Sequence, residues 1–438
     1  MRKNVFTTQI RSSLGIALAL SLMLAIAIGS SAQEQQLAQA NGQHFRRYTV
    51  TDLGTLGGTW GEGFGINNEG WVAGKAAMPG DLNGHAFLWR KGKITDLGTL
   101  GGPNSEPSFS PFSEKGDVGG AAETSNPDPN GEDFCFFGTH LICLPVLWHD
   151  GGVTVLPTLG GNNGVANQVN NRGQVAGVAE TTTLAPPCQG SGVGEPVVWD
   201  NGVIRDLRLL PLDLFGVALA INDNGDAVGF SANCSTFHAL LWRDGSLTDL
   251  GSLGGTAFSL ASAINNRGEI AGQSDLAGDT TTDAFLWQNG VMTDLGTLPG
   301  DFSSNALGIN SKTQIIGVSS DINNNPRAFL WEHGAMIDLN NLIPAGSPWF
   351  LFEVDSINSR GEIVGGAFNT TSSENRAVLL TPCDEKHRGV EGSDYRLVDA
   401  AAASQIPTPV YRPGGTQPLP QSRRTNRYHI HGLQSPSK

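Results

Sequence analysis

Apolar positions along the chain occur in short runs that indicate strands rather than helices. The run Ala86-Phe87-Leu88-Trp89 is apolar throughout, and a strand buried on both faces has this appearance. Related runs recur along the chain and end at Trp148, Trp199, Trp242, Trp287, Trp331 and Leu380. The base period is about 44 residues, and a period of roughly 40–50 residues with four strands per unit is typical of β-propellers.

Two further blocks recur in fixed order between these runs. One is Thr51-Asp52-Leu53-Gly54-Thr55-Leu56-Gly57-Gly58, with a close copy at residues 95–102. The other is Ile66-Asn67-Asn68-Glu69-Gly70, in which Asn and Gly predict a tight turn between two strands. Each period therefore predicts four strands, with the Asp-Leu pair ending the fourth.

The two ends of the array complement each other. The first strand after the N-terminal segment, Tyr48 to Leu53, is a fourth strand without its unit, and the last unit stops after its third strand, Ala377 to Leu380. An open solenoid needs capping units, whereas a ring joins such ends. We therefore predict an all-β, seven-bladed β-propeller of four-stranded blades, closed by pairing of the N-terminal strand with the C-terminal blade. A β-helix or solenoid is the alternative.

The repeat resembles the HAF-repeat family of probable extracellular repeat proteins. The triplet that names the family stands here as His85-Ala86-Phe87, followed by Leu88-Trp89. His238 repeats the histidine, whereas Asp283, Arg327 and Arg376 replace it in other copies. The resemblance covers about Tyr48 to Leu380 and implies export and a repeat architecture, but no particular activity.

The chain divides into three regions. Arg2, Lys3 and Arg11 precede an uncharged apolar run over residues 14–28, which predicts a signal peptide over residues 1–32, with cleavage as late as residue 40 as an alternative. The repeats occupy residues 46–383. Residues 384–438 are rich in Pro, Arg and Ser and predict a flexible tail.

Composition limits the partners that we expect. The formal net charge is −14, and many of the basic residues lie near the two ends, so the repeats repel nucleic acid. No segment after the N-terminal region is apolar enough to span a membrane. We expect a secreted, extracellular or periplasmic monomer whose partner is a protein or a polysaccharide.

The five cysteines follow the N-terminal apolar run, in an exported chain where disulfides can form. Cys135 and Cys143 share one insertion, and Cys188 and Cys234 lie in equivalent loops of adjacent repeats. We predict the disulfides Cys135–Cys143 and Cys188–Cys234, which leave Cys383 unpaired.

Candidate binding residues lie in loops, and no catalytic residue can be assigned. Oxygen-rich loops make calcium a hypothesis, although they match no EF-hand; its ligands would be Asp275, Asp279, Asp321, Asn323 and Asn325. Trp60 and Trp349 fall outside the repeated tryptophan position and are candidates for an exposed ligand platform. No other cofactor is expected.

The favoured function is a non-catalytic binding scaffold, because the sequence contains no nucleophile elbow, zinc-protease motif or phosphate loop. The alternatives are a propeller hydrolase or lyase acting on polysaccharide, and a structural surface protein.

Overall fold

The computed structural model describes residues 44–184, 192–387 and 393–399. This part of the chain is all-β apart from two 3-10 turns, η1 (Leu339–Asn341) and η2 (Glu385–His387). Among these residues, no helix has the length and apolar character needed to cross a membrane.

The strands form antiparallel groups of four, here called units. Two strands, β1 (His44–Phe45) and β2 (Tyr48–Asp52), precede the first unit. Unit 1 contains β3 (Gly61–Ile66), β4 (Val72–Ala77), β5 (Gly84–Arg90) and β6 (Lys93–Asp96). Unit 2 contains β7 (Gly101–Phe112), β8 (Val118–Pro127), β9 (Leu141–His149) and β10 (Gly152–Val155).

The same order continues along the chain. Unit 3 contains β11 (Gly160–Val169), β12 (Val175–Leu184), β13 (Gly192–Asp200) and β14 (Val203–Asp206). Unit 4 contains β15 (Phe215–Ile221), β16 (Ala227–Ala232), β17 (Phe237–Arg243) and β18 (Ser246–Asp249). Unit 5 contains β19 (Gly254–Ile264), β20 (Ile270–Leu276), β21 (Thr282–Gln288) and β22 (Val291–Asp294).

Unit 6 contains β23 (Ser303–Ile309), β24 (Ile315–Ser320), β25 (Pro326–Glu332) and β26 (Ala335–Asp338). Unit 7 contains β27 (Trp349–Ile357), β28 (Ile363–Asn369) and β29 (Glu374–Pro382), and its fourth strand is β2. Units 4 and 5 form one eight-stranded sheet because β17 and β19 pair in parallel at Phe237 and Phe258.

The N-terminal strand lies at the position that the repeat pattern predicts. β2 runs antiparallel to β29, with Tyr48 opposite Pro382 and Asp52 opposite Val378. The first strands of the units contact one another in succession, from β3 through to β27 and back to β3. These strands therefore lie innermost, which is the arrangement of a propeller-type fold.

Side chains of the Asn-x-x-Gly turns join neighbouring units on one face. In the turn itself, the Asn67 side-chain oxygen accepts the N–H groups of Glu69 and Trp71. Between units, Asn265 Nδ2 donates to the carbonyl of Asn310, 3.1 Å away. In the same way, the amides of Asn170, Asn222 and Asn310 donate to the corresponding turn of the next unit, and the amide of Asn358 donates to that of unit 1.

A glycine on each second strand lets the repeated phenylalanine lie across the unit. At Gly272, an added Cβ would come within 2.0 Å of the Leu260 carbonyl oxygen and 2.8 Å of the Phe285 ring. Phe285 is fully buried, as are its counterparts Phe87 and Phe329. The core therefore lies between units, where these rings pack against the apolar strands of their neighbours.

Part of the predicted tail lies against the N-terminal segment. β30 (Val398–Asp399) pairs with β1, with Val398 opposite Phe45. Both of these side chains are buried in the cluster that includes Tyr48 and Leu342.

Candidate functional site

The connections after the second and fourth strands of each unit lie at one edge of the sheets, because successive hairpins of an antiparallel sheet point to opposite ends. We call this edge the loop face. Its 13-residue insertion between β8 and β9 covers residues 128–140. Phe134 and Cys135 of this insertion are buried against Val217, Leu219 and Leu260 of the innermost strands. The insertion therefore packs over the centre of the ring.

The cysteines follow the predicted pattern where the structure describes them. Cys135 and Cys143 form a disulfide with a Cα–Cα distance of 6.2 Å. Cys234 is also disulfide-bonded, and its predicted partner, Cys188, lies outside the described residues. Cys383 is a buried free thiol.

A buried polar network anchors the insertion. Asn163 Nδ2 lies 2.8 Å from an Asp128 carboxylate oxygen, 3.1 Å from Glu180 and 3.4 Å from Glu132. Because these carboxylates accept hydrogen bonds from the protein, the network holds the insertion to unit 3. The described residues contain no group of three or more His, Cys, Asp or Glu side chains arranged to hold a metal ion.

The five candidate calcium ligands lie in two separate places: Asp275 near the end of β20 with Asp279 in the connection after it, and Asp321, Asn323 and Asn325 in the connection after β24. Their carboxylates accept hydrogen bonds from protein groups. Asp321 accepts the N–H groups of Asn323 and Asn325 as well as the side-chain amide of Asn325. Asp279 accepts from Thr256. Asp275 accepts from Thr282 at 2.8 Å. The structure thus uses these oxygens to order loops.

The two candidate platform tryptophans belong to different units, with Trp60 directly before β3 and Trp349 at the start of β27, and both are half-buried. The Trp60 ring lies against Gly84, where an added Cβ would come within 2.8 Å of it. Trp349 opens β27 and packs against the core cluster of the last unit. Neither ring is freely exposed on the loop face.

In units 1 and 6, the residue at the histidine position of the repeated triplet pairs with the Asp that ends the fourth strand of the same unit. In unit 4, His238 Nδ1 instead lies 3.0 Å from Asp213. In unit 1, His85 Nδ1 lies 3.0 Å from the Asp96 carboxylate. In unit 6, Arg327 forms an ion pair with Asp338 at 3.3 Å. His85 and Arg327 thus occupy equivalent positions and contact equivalent Asp residues.

Unit 5 has two acids at this position. The side chains of Asp283 and Asp294 hydrogen-bond to each other. Asp283 is only 7% exposed, whereas Asp294 is exposed and also accepts the N–H of Gly296 at 2.7 Å. Burial, followed by the nearby Asp294 carboxylate, raises the pKa of Asp283 to about 7. Asp283 therefore keeps its proton at a pH where ordinary carboxyls have lost theirs.

Unit 3 also has two acids at these positions, Glu195 and Asp206. Burial, and then the charge of Asp206, raises the pKa of Glu195 to about 7. Both pairs are visible in the sequence. In units 5 and 3 an acid replaces the histidine of the triplet, and the Asp that ends the fourth strand is retained. Sequence reasoning missed them because the residues are 11 positions apart and meet only through the register of adjacent strands.

No family model matches this chain, and no curated protein does. Among solved structures, it is similar to an acylaminoacyl peptidase in complex with a chloromethyl ketone, at 13% identity over 69% of this chain and 49% of that one, with a TM-score of 0.43. A structure from a study of two prolyl endopeptidases shares 9% identity over 80% of this chain and 52% of that one, with a TM-score of 0.45. A gluconolactonase from Xanthomonas campestris shares 12% identity over 78% and 98%, with a TM-score of 0.33. The chain spans about half the length of the two peptidases.

These findings correct the prediction of a non-catalytic binding scaffold. The neighbours just described bear the names of hydrolases. The structure also contains a hydrogen-bonded carboxyl pair, Asp283 and Asp294, although the sequence had led us to assign no catalytic residue. The prediction of a non-catalytic scaffold is therefore wrong.

Proposed function

We propose that this protein is an exported hydrolase in which Asp283 and Asp294 form the catalytic carboxyl pair. The observation that carries the proposal is their direct hydrogen bond, with one acid buried and the other exposed on the loop face. A pair of this kind shares a proton, so it holds a general acid and a general base side by side.

The closeness of the two carboxyls favours an ester or amide substrate over a polysaccharide. Glycosidase carboxyls stand about 5–5.5 Å or 6.5–9.5 Å apart. The side chains of Asp283 and Asp294 instead interact directly with each other. Contact of this kind is typical of acid pairs that activate one water for attack on a carbonyl carbon.

The chemistry follows from the two protonation states. The Asp294 carboxylate accepts a proton from water as the water oxygen bonds to the carbonyl carbon, and protonated Asp283 donates its proton to the carbonyl oxygen. When the tetrahedral intermediate collapses, Asp294 transfers its proton to the leaving amine or alcohol. As the carbonyl reforms, one of the intermediate's two hydroxyl protons returns to Asp283, and the other stays on the product acid, so the starting pair is restored.

The same proposal includes the architecture and the family. Two kinds of hydrogen bond link the turns of successive units and support a ring of seven blades. The first are the asparagine side-chain amides of the Asn-x-x-Gly turns, which donate to the next turn. The second are the contacts of Asn68 with Glu114 and of Glu114 with Asn171. The basic N-terminus and apolar run support export. The His85-Ala86-Phe87 triplet supports membership of the HAF-repeat family.

The test is hydrolysis of a panel of aryl esters, internally quenched peptides and aryl glycosides by the purified full chain. Asp283→Asn and Asp294→Asn preserve shape but remove the shared proton, so each should lower kcat at least about 100-fold, the range that acid–base catalysis supplies. Asp249→Asn is the matched control. Asp249 ends the fourth strand of unit 4 and accepts the N–H of Gly251 at 2.9 Å, as Asp294 accepts that of Gly296.

Loss of ester or peptide hydrolysis in both pair variants, with the Asp249 variant active, supports the proposal. Absence of hydrolysis across the panel, or equal activity in Asp294→Asn and Asp249→Asn, overturns it. Cleavage of glycosides alone would overturn the assigned substrate class.

A further inference from the structure

We propose that Phe237 and Phe258 form a subsite for an aromatic side chain of a peptide substrate. The inference rests on the proposed function, because it takes the Asp283–Asp294 pair as the reacting centre. It adds the substrate class, an extended peptide, and the position of its recognised residue.

The two rings form a rigid apolar surface on the loop face. Phe237 opens β17 and lies opposite Phe258 of β19, with their ring centroids 5.5 Å apart. Phe230 and Phe215 lie 5.7 and 6.0 Å from Phe237. Phe237 and Phe258 are half-buried, whereas Phe230 is fully buried. The exposed faces are therefore backed by packed rings and stay in place when a ligand binds.

An aromatic residue is particular to unit 4 at the start of the third strand. The residue that precedes the triplet position is Phe237 in unit 4, whereas the other units have Gly84, Cys143, Gly194, Thr282, Pro326 and Asn375 there. Large apolar side chains that remain part-exposed contribute less to stability than buried ones. A binding role accounts for a phenylalanine where the repeat otherwise has small or polar residues.

Hydrogen bonds connect this surface to the carboxyl pair. Asp275 accepts the backbone N–H of Phe258 and the hydroxyl of Thr282, and Thr282 directly precedes Asp283. Phe258, Asp275 and Asp283 thus lie on three adjacent strands of unit 5. Asp283 lies opposite Ser274, and Ser274 lies opposite Ser259, the residue after Phe258. Two strand spacings of about 4.8 Å therefore separate the two backbones by roughly 10 Å.

The distance between Phe258 and Asp283 favours an extended peptide as the ligand. An extended peptide advances about 3.4 Å per residue. Consider a peptide substrate that lies across unit 5 with its scissile bond at the carboxyl pair. Its third residue from that bond, on the side toward the innermost strand, would contact Phe258 and Phe237. A small aryl ester spans too little distance to reach both places.

The experiment uses internally quenched hexapeptides in which one phenylalanine is moved along an alanine-rich sequence. The full chain should cleave best when phenylalanine lies about three residues from the cleaved bond. Phe258→Ala and Phe237→Ala should raise KM for that peptide about tenfold, leave kcat within twofold, and leave the all-alanine peptide unaffected. Phe258→Leu keeps an apolar surface and should retain most of the preference.

Phe302→Ala is the matched control, since Phe302 is 41% exposed on the loop face and belongs to the neighbouring unit 6. It should leave both peptides unchanged. Equal effects of Phe302→Ala and Phe258→Ala, or no positional preference in an active enzyme, overturn the subsite.

Binding separates this inference from the catalytic proposal. Fluorescence anisotropy with the best peptide should show binding to Asp294→Asn that is lost in the double variant Asp294→Asn/Phe258→Ala. If the full chain binds the peptide through Phe258 but cleaves nothing, the subsite stands and the hydrolase proposal fails. If the chain cleaves peptides through Asp294 but Phe258→Ala changes neither KM nor binding, the hydrolase stands and the subsite fails.

Discussion

The Asp283 carboxyl group hydrogen-bonds to the carboxyl group of Asp294. The pair occupies the position where unit 1 joins His85 to Asp96. One substitution in a repeat thus replaces a histidine–aspartate pair with two acids. Two close carboxyl groups are most stable when one proton is kept between them.

Replacing Asp283 with Asn should stabilise the protein at high pH. A carboxyl whose pKa is raised in the folded state binds more protons folded than unfolded, so wild-type stability falls between about pH 4 and pH 7. Asp283→Asn removes this loss, and its free energy of unfolding at pH 8 should exceed that of wild type by on the order of 4 kcal/mol, because the pKa rises from 3.8 to about 7. At pH 4 the two proteins should be alike.

Urea denaturation at both pH values measures this difference, with Asp249→Asn as the control that lacks a partner acid. A variant no more stable than wild type at pH 8 would show that the pair carries no excess proton.

Activity should depend on the same proton. Hydrolysis needs Asp283 protonated, so kcat should fall as pH rises through about 7. Replacing Asp283 with His reproduces the pair of unit 1 and should abolish hydrolysis at every pH. A pH–rate profile from pH 4 to 9 measures both effects, and a rate that keeps rising above pH 8 would contradict the assigned role.

The hydrogen bonds between the Asn-x-x-Gly turns lead us to expect opposite effects on stability from two substitutions. Asn265 donates to the Asn310 carbonyl and accepts the N–H groups of Arg267 and Glu269. Asn265→Ala leaves these buried groups unpaired and should lower the free energy of unfolding by about 3 kcal/mol.

Unit 2 has Ser113 in place of the asparagine, so its side chain carries no amide to donate to the next turn. Ser113→Asn restores the repeat residue and should raise the free energy of unfolding by about 0.5–1 kcal/mol. Chemical denaturation of both variants checks the ring, and a destabilised Ser113→Asn variant would contradict it.

Arg327 should be essential for the stability of unit 6. Its guanidinium lies 2.7 Å from Asp301 and 3.3 Å from Asp338, whose side chains are 3% and 4% exposed. Arg327→Ala leaves two buried acids without this cation, so the free energy of unfolding at pH 7 should fall by about 3–5 kcal/mol. The loss should shrink at pH 4, where the acids can take up protons.

Arg267→Ala provides the control for Arg327, because Arg267 is half exposed beside Glu269. Surface pairs of this kind contribute about 0–1 kcal/mol. Equal losses in the two variants would show that burial of the Arg327 pair does not govern its contribution.

The Cys135–Cys143 disulfide should stabilise the insertion over the ring. Its loop is short, with a sequence separation of 8, and loop-closure entropy assigns such a bond about 2.5 kcal/mol. The double variant Cys135→Ser/Cys143→Ser should lose that amount in urea denaturation, and limited proteolysis should cleave within residues 128–140. Cys383→Ser, which removes a free thiol, should not expose that segment.

The sequence by itself determined the repeated elements of this protein. The period, the Asn-x-x-Gly turns and the apolar Ala-Phe-Leu-Trp strand are local patterns, so they predicted the strands and their order without any long-range contact. The complementary ends, Tyr48 to Leu53 and Ala377 to Leu380, even predicted the pairing of β2 with β29.

Only the tertiary structure decided which side chains meet. The partnership of Asp283 and Asp294 depends on the register of β21 and β22, and that of Phe237 and Phe258 depends on contact between two units. A pKa depends on burial and on neighbouring charges, and neither quantity is written in a residue's own identity. The repeat pattern therefore specified the scaffold, whereas the chemistry of the loop face arose from contacts between strands and between units.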